Sequence, residues 1–323
     1  VNSSSLIVQG AANYLTTVGD YLLFVGRALG VVTVQVFRYN GEPIVSATIT
    51  AFRNRVINGA MRIDQRNAGA SQTLTAGAAL AYCVDRFYAY CTGANVTVQQ
   101  VSSGAQKRFR FTGAASVTGV GLGHRIEAAN SLDLAGSSAT LQVKAASTSL
   151  TSLGWAVYYA NSTDTFGTLA SPTRTLVSSG TFTINTVEAT YYATVSLPAG
   201  ATTGIEIVFT GGALLGAQTL TLGDVQFEAG STAGALESVE FSRELSRCQR
   251  YYEKSYPQSV KPGTGSDYRG SALAPSLSNS LGGTYWTASY KTTKRTTTPN
   301  VTVYNPSSGT TGQGIGNGSG IAT

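Results

Sequence analysis

At 323 residues the chain suits two or three domains rather than one. Only 12% of its residues are Asp, Glu, Lys or Arg, about half the usual ~25%, yet 42% are hydrophobic, which excludes disorder, a state that needs low hydrophobicity and high net charge. The formal charge of +6 raises nucleic acid as a partner, but the 22 basic residues are scattered. The tight groups are Lys291 to Arg295 and Lys107-Arg108-Phe109-Arg110, and in the latter Phe109 and Phe111 alternate with Arg108 and Arg110 as a half-buried strand requires, so no nucleic-acid partner is expected. Three cysteines (Cys83, Cys91, Cys248) cannot all pair within the chain. Free, mostly buried thiols are expected, with a Cys83–Cys91 bridge left open. One histidine and no zinc-type spacing point to no metal and no cofactor. No apolar run approaches the ~20 residues that span a bilayer, so no membrane insertion is expected. The start, VNSSSLIVQG, shows no signal peptide and no initiator Met, and a piece of a longer polypeptide is expected.

In chain order, residues 1–52 predict an N-terminal β segment. Its 20–37 stretch is an apolar strand ribbon bounded by turn residues, with a turn at 39–43. A ribbon this short and apolar packs against a neighbour, which here includes another copy of itself. Residues 53–240 form one larger unit with strands at 95–101, 107–112, 140–144, 154–159, 180–185, 189–197, 204–210 and 218–228. Tyr191, Ala193, Val195 and Leu197 share one face, as do Ile205, Ile207 and Phe209. Around Gly223 the apolar parity switches, the signature of a β-bulge. Short strands with frequent turns and no helical period predict a two-sheet sandwich of jelly-roll type. Residues 241–256 predict a connecting helix, with Ser242 as N-cap, an apolar stripe of Leu245, Cys248, Tyr251 and Tyr252, Lys254 in the last turn and Pro257 as the stop. Residues 257–323 predict a C-terminal β domain, incomplete, with strand-like 284–292 and 300–304. The fold class is therefore all-β: a jelly-roll sandwich with an N-terminal β segment, one short helix and a partial C-terminal β domain.

Two stretches resemble a known family. One runs from Asn54 to Arg86, where Asn54, Arg55, Ile57, Asn58, Gly59, Met61, Ile63, Gln65, Arg66, Tyr82, Asp85 and Arg86 carry the pattern. The other, LGDVQFEAGS … ELSRCQRYYEK, runs from Leu222 to Lys254. Together they resemble the opening and closing motifs of carbohydrate-binding-like jelly-roll modules in bacteriophage tail fibres and receptor-binding proteins. The resemblance covers roughly residues 54–305. It implies a virion location in the phage tail, assembly in the host bacterial cytoplasm, a homotrimer with other phage tail proteins as partners, and attachment to host cell-surface polysaccharide. Residues 1–52 would then be the fibre connector. The sequence departs from the family picture in one respect, since a further C-terminal stretch is expected after Tyr304.

Sugar rings stack on aromatic faces and hydrogen-bond to polar edges. The glycan-binding candidates are Tyr88, Tyr90, Tyr158, Tyr285, Trp286, Tyr290 and Arg66. Each has a structural alternative. Tyr88 and Tyr90 share a face with Arg86, and core or subunit packing suits them as well. In the 153–159 strand, Leu153, Trp155, Val157 and Tyr159 read as core, which leaves Tyr158 pointing outward. Tyr285, Trp286 and Tyr290 lie in a polar strand. Arg55, Gln65 and Arg66 suit sugar hydroxyls, but Asn58-Gly59 is a turn signal and favours a structural motif. No catalytic residues are expected. Glycoside hydrolysis needs a carboxylate pair, and the clusters Glu237/Glu240/Glu244 and Asp224/Glu228 read more simply as caps, turns and surface charges. His124 has no nearby Ser or Cys to activate, and the glycines around it are not followed by the Lys and Ser/Thr of a phosphate loop. A polysaccharide-cleaving spike, a purely structural virion connector or head fibre, and a secreted bacterial carbohydrate-binding protein remain the alternatives.

Overall fold

The structure, a computed structural model, describes the strand residues 5–6, 14–15, 21–28 and 31–37, and then residues 52–271, 289–315 and 320–322. The chain divides into two compact units, Val1–Phe52 and Arg53–Thr323. In the first, β1 (Ser5–Leu6) pairs with β2 (Tyr14–Leu15), and β3 (Tyr21–Ala28) pairs antiparallel with β4 (Val31–Phe37), Tyr21 opposite Phe37. The 20–37 ribbon is in place. The turn expected at 39–43 lies outside the described residues.

The second unit is a jelly-roll sandwich of two six-stranded antiparallel sheets. Its strands are β5 (Gln72–Leu74), β6 (Ala81–Tyr82), β7 (Phe87–Thr92), β8 (Val96–Ser103), β9 (Gln106–Thr112), β10 (Gly119–Ile126), β11 (Ser138–Ser147), β12 (Ser152–Ala160), β13 (Arg174–Thr183), β14 (Ala189–Ser196), β15 (Ile205–Gly211) and β16 (Thr219–Ala229). One sheet runs β13-β12-β15-β10-β7-β6, the other β14-β11-β16-β9-β8-β5. Period-2 alternation puts one parity of each strand into a shared core. Phe87 and Ala89, Leu122 and Ile126, Leu153 and Val157, and Ile205 and Ile207 enter from the first sheet. Phe109 and Phe111, Leu141 and Val143, and Val225 and Phe227 enter from the second. Phe109 and Phe111 are wholly buried with ring centroids 4.9 Å apart, and each such ring contributes about 1.5–3 kcal/mol by leaving water.

Every strand predicted between residues 95 and 228 is present. Four were not predicted: β5, β6, β7 and β10. The Gly-x-Gly-x-Gly of β10 carries little strand propensity, and β5 and β6 are two or three residues long. The bulge expected at Gly223 occurs there: Gln142 pairs with Gln226 and Lys144 with Gly223, so two residues of β16 oppose one of β11, and Asp224 adopts φ 47°. Arg108, expected on a polar outer face, is instead 1% exposed. It lies against Gly223 and forms ion pairs with Glu188 and Asp224, both at 2.9 Å.

Helix α1 spans Phe241–Gln249. Glu240, not Ser242, caps it, accepting from the backbone N–H groups of Ser242 and Arg243. The longer carboxylate side chain reaches both orphan donors that a serine at the first turn would leave open. Arg247 is the basic residue of the last turn. Lys254, expected there, lies beyond the helix, buried and donating to the carbonyls of Gln258 and Val260. The helix therefore ends well before Pro257. It docks Leu245, Cys248 and Tyr251 on Ile57 and Ile63.

The 54–86 motif builds this dock. Arg55 N donates to Phe227 O at 2.9 Å, and Val225 N donates to Gly59 O at 2.9 Å, so the motif zips along the bulged end of β16. A Cβ on Gly59 would stand 2.0 Å from the Val225 carbonyl, so a side chain is barred there. Asn58, at φ 62°, donates to the carbonyls of Ile63 and Asp85 and accepts from Ile63 N. The motif is structural in this unit. In the region 257–312 the described residues carry no strand, only the isolated bridge Tyr304–Thr311, and the strand expected at 300–304 is absent. The segment expected as a strand at 284–292 lies mostly outside the described residues, and 289–292 is irregular. A short pair, β17 (Gln313–Ile315) and β18 (Gly320–Ala322), follows.

Candidate functional site

The outward parity of the first sheet forms three rows. Strand register sets Tyr90, Gly121, Thr210, Gly154 and Thr181 side by side. The next row is Tyr88, Gly123, Val208, Ala156 and Ser179. The third is Arg125, Glu206, Tyr158 and Leu176. In the first two rows, therefore, small residues and Val208 floor the middle strands beside Tyr90 and Tyr88 on β7, while the third row carries larger side chains across those strands. From β7 to β12 is three strand spacings, roughly 14 Å.

Glycines at alternate positions of β10 explain how the aromatic rings lie. A Cβ on Gly121 would stand 2.1 Å from Cζ of Tyr90, and one on Gly123 would stand 2.1 Å from Cζ of Tyr88. Both rings thus lie across the backbone of the neighbouring strand, in space that only glycine leaves open. The Tyr88 hydroxyl donates to Glu206 Oε1 at 2.7 Å. Glu206 is fully buried and accepts also from Arg125 Nε at 2.6 Å and from Arg174 Nη1. The Arg174 guanidinium lies over the Tyr158 ring, 4.2 Å from its centroid, and that of Arg125 lies 5.2 Å from the Tyr88 and Phe166 centroids. Burial, with the Glu206 charge beside it, holds the Tyr88 hydroxyl well above its ordinary pKa. Burial also raises that of Tyr90. Both phenols stay neutral donors.

The face gathers three of the predicted residues, and their exposure divides them. Tyr90 and Tyr158 are half-buried on it. Tyr88 is 1% exposed, a correction: its ring is sealed between Gly123, Tyr82 and Arg125, and it props Glu206 rather than meeting solvent. Arg86 does not share their face as expected. At φ 73° it breaks the alternation before β7 and places its guanidinium 3.4 Å from the Tyr251 ring centroid, in the helix dock. Arg66 lies over Tyr252 at 3.8 Å and over Tyr82 at 5.8 Å, so it too is a docking residue. Tyr290 is 50% exposed away from the rows, with Lys294 Nζ 4.8 Å from its ring centroid. Tyr285 and Trp286 lie outside the described residues. Arg125, Arg174, Glu206 and Leu176 were not predicted. Their only signal was opposite charge and parity on neighbouring strands, and neighbourhood is not visible in one sequence.

The other candidates resolve into structure. His124 is fully enclosed, its Nε2 3.2 Å from the Ile57 backbone nitrogen, and burial drives its pKa well below the ordinary value. Glu244 accepts from Asn58 N and pairs with Arg247 at 2.7 Å. Glu228 pairs with Arg53 at 3.1 Å. Glu237 accepts from Asn54 N. A cleft of about 390 Å³ between the 54–63 motif and residues 236–244 is lined by Glu237 and Glu244, both already partnered. The three cysteines are free and buried, and burial pushes the Cys83 thiol up to about 12. Among the described residues no helix is long and apolar enough to cross a membrane.

The fold and this face define the class: a jelly-roll β-sandwich with an open, tyrosine-bearing sheet face. No family model matches the chain, and no curated protein does. Solved structures similar to it include a CBM4 module, at 16% identity over 54% of this chain and 99% of that one, TM-score 0.34. The enzymatically active domain of tailspike protein 4 from bacteriophage CBA120 matches at 14% identity over 55% of this chain and 22% of that one, TM-score 0.35. The C-terminal family 22 carbohydrate-binding module of Clostridium thermocellum Xyn10B matches at 14% identity over 55% of this chain and 98% of that one, TM-score 0.31.

Proposed function

We propose that the chain binds a glycan across the outer face of its first sheet. One observation carries this reading: Tyr90 laid flat over Gly121 faces Tyr158 across a floor of small residues, with polar groups fixed at the edges. A pyranose has an apolar C–H face and an equatorial rim of hydroxyls, which suit such a ring and such edges. We further propose that it binds without catalysis, because the acidic groups at the candidate clusters are each engaged in a cap, an ion pair or a backbone hydrogen bond. The resemblance of the 54–86 and 222–254 stretches to phage tail-fibre modules supports a finer role: a homotrimeric virion fibre that attaches to host surface polysaccharide, weak at each site and strengthened by several copies.

The test is binding of the purified chain to an array of bacterial surface polysaccharides, repeated with Tyr90→Ala and Tyr158→Ala. Loss of roughly 1–3 kcal/mol of binding per ring is expected, by analogy with nucleobases stacked on aromatic side chains, with the melting temperature little changed. Binding that survives both substitutions would move the site elsewhere.

A further inference from the structure

We propose that the glycan taken by this face is acidic, a polysaccharide whose sugars carry carboxylates, met by the Arg174 guanidinium beside Tyr158. The inference rests on the glycan reading of the same face. Its ground is the charge on the outward side chains. Along β7, β10, β12, β13 and β15 the charged ones are Arg125, Arg174 and Glu206. One carboxylate meets two guanidiniums, so the cluster holds an excess positive charge.

The two signs also differ in access. The Glu206 side chain is 0% exposed, whereas those of Arg125 and Arg174 are 22% and 16% exposed. The anion is sealed beneath the face and the cations reach its surface. Glu206 takes Arg174 through Nη1 alone, while Arg125 gives Nε to Glu206 and Nη2 to the Gly167 carbonyl. A guanidinium carries five N–H donors in a planar fork that fits a carboxylate. A cation held partly out of water with one more positive charge than its partners supply is stabilised by an incoming anion. Leu176, 51% exposed beside Tyr158 in the same row, gives the sugar ring an apolar flank.

The experiment is affinity electrophoresis of the full chain in gels holding polygalacturonate, alginate or polysialate, compared with methyl-esterified polygalacturonate and dextran. Retardation by at least one carboxylate polymer is expected, at least tenfold weaker for the esterified or neutral ones. Arg174→Gln should weaken it at least tenfold. Thr181→Glu, which places a carboxylate at an exposed position of the face, should weaken it without disturbing the fold. Arg243→Gln, on the exposed side of α1, should not. Equal retention by acidic and esterified polymers, lost in Tyr90→Ala, would overturn the acidic preference and leave the glycan reading standing. Equal weakening by Arg243→Gln would reduce the effect to overall basic charge and overturn it as well. Retention by no polymer would remove both.

Discussion

Gly123 shows how much one absent methyl group controls. The Tyr88 ring occupies the space a Cβ would take, and the same ring delivers its hydroxyl to Glu206. Gly123→Ala should lift the ring, break the Tyr88–Glu206 bond and leave a carboxylate wholly inside the protein short of one donor. Overpacking of this kind costs about 1–3 kcal/mol, and urea unfolding should read a loss of that size. Tyr88→Phe, which keeps the packing, should cost less. Several residue identities here were legible from sequence and several were not. Tyr158 was placed outward by the parity of Trp155 and Val157, and it is outward. Tyr88 reads from sequence either as a glycan contact or as core, because period alone cannot tell a solvent face from one roofed by a neighbour's guanidinium. Arg174 and Glu206 are 32 residues apart, and nothing local in either stretch announces the other.

At the scale of elements, the unexpected object is the dock between α1 and the 54–86 motif. Asp85 lies in it, bonded to Gln65 through backbone and side chain, with Arg66, Asp64, Lys254 and Cys248 around it. Burial outweighs those hydrogen bonds and the Arg66 charge, and raises its carboxyl from the ordinary 3.8 to about 6. The folded state therefore binds this proton more tightly than the unfolded chain. Stability from the group is full below the unfolded value and is lost as pH rises through about 6. Relative to Asp85→Asn, the native chain should lose on the order of 3 kcal/mol between pH 4 and pH 7. Urea midpoints of the two chains across that range measure it. His124, whose depressed pKa acts in the opposite sense, is common to both and drops out of the difference. A pH-independent difference would show that Asp85 stays charged. The strands of the sandwich were legible because their alternation is strong. The dock was legible only as a motif, since its buried polar contacts join residues up to 187 positions apart.

For the whole molecule, among the described residues the sandwich ends on one side in two long edge strands, β13 and β14. On β14, Tyr192 is 66% exposed. Unpaired edges with exposed apolar side chains favour association with another chain, which agrees in direction with the proposed homotrimer. Light scattering coupled to size-exclusion chromatography should give about three times the 33.5 kDa chain mass. A monomer at micromolar concentration would set aside self-assembly of this chain.

The tyrosines of the open face have a thermodynamic consequence. The Tyr90 ring, already laid on Gly121 beside a sealed and tethered Tyr88, has few rotamers left to lose when a ligand arrives. Ordering a mobile side chain at an interface costs about 0.5–1.5 kcal/mol, and here most of that ordering is done during folding. Binding to this face should therefore carry a small entropic penalty from the protein, and the temperature dependence of affinity should report mainly the stiffening of the sugar chain and the release of water.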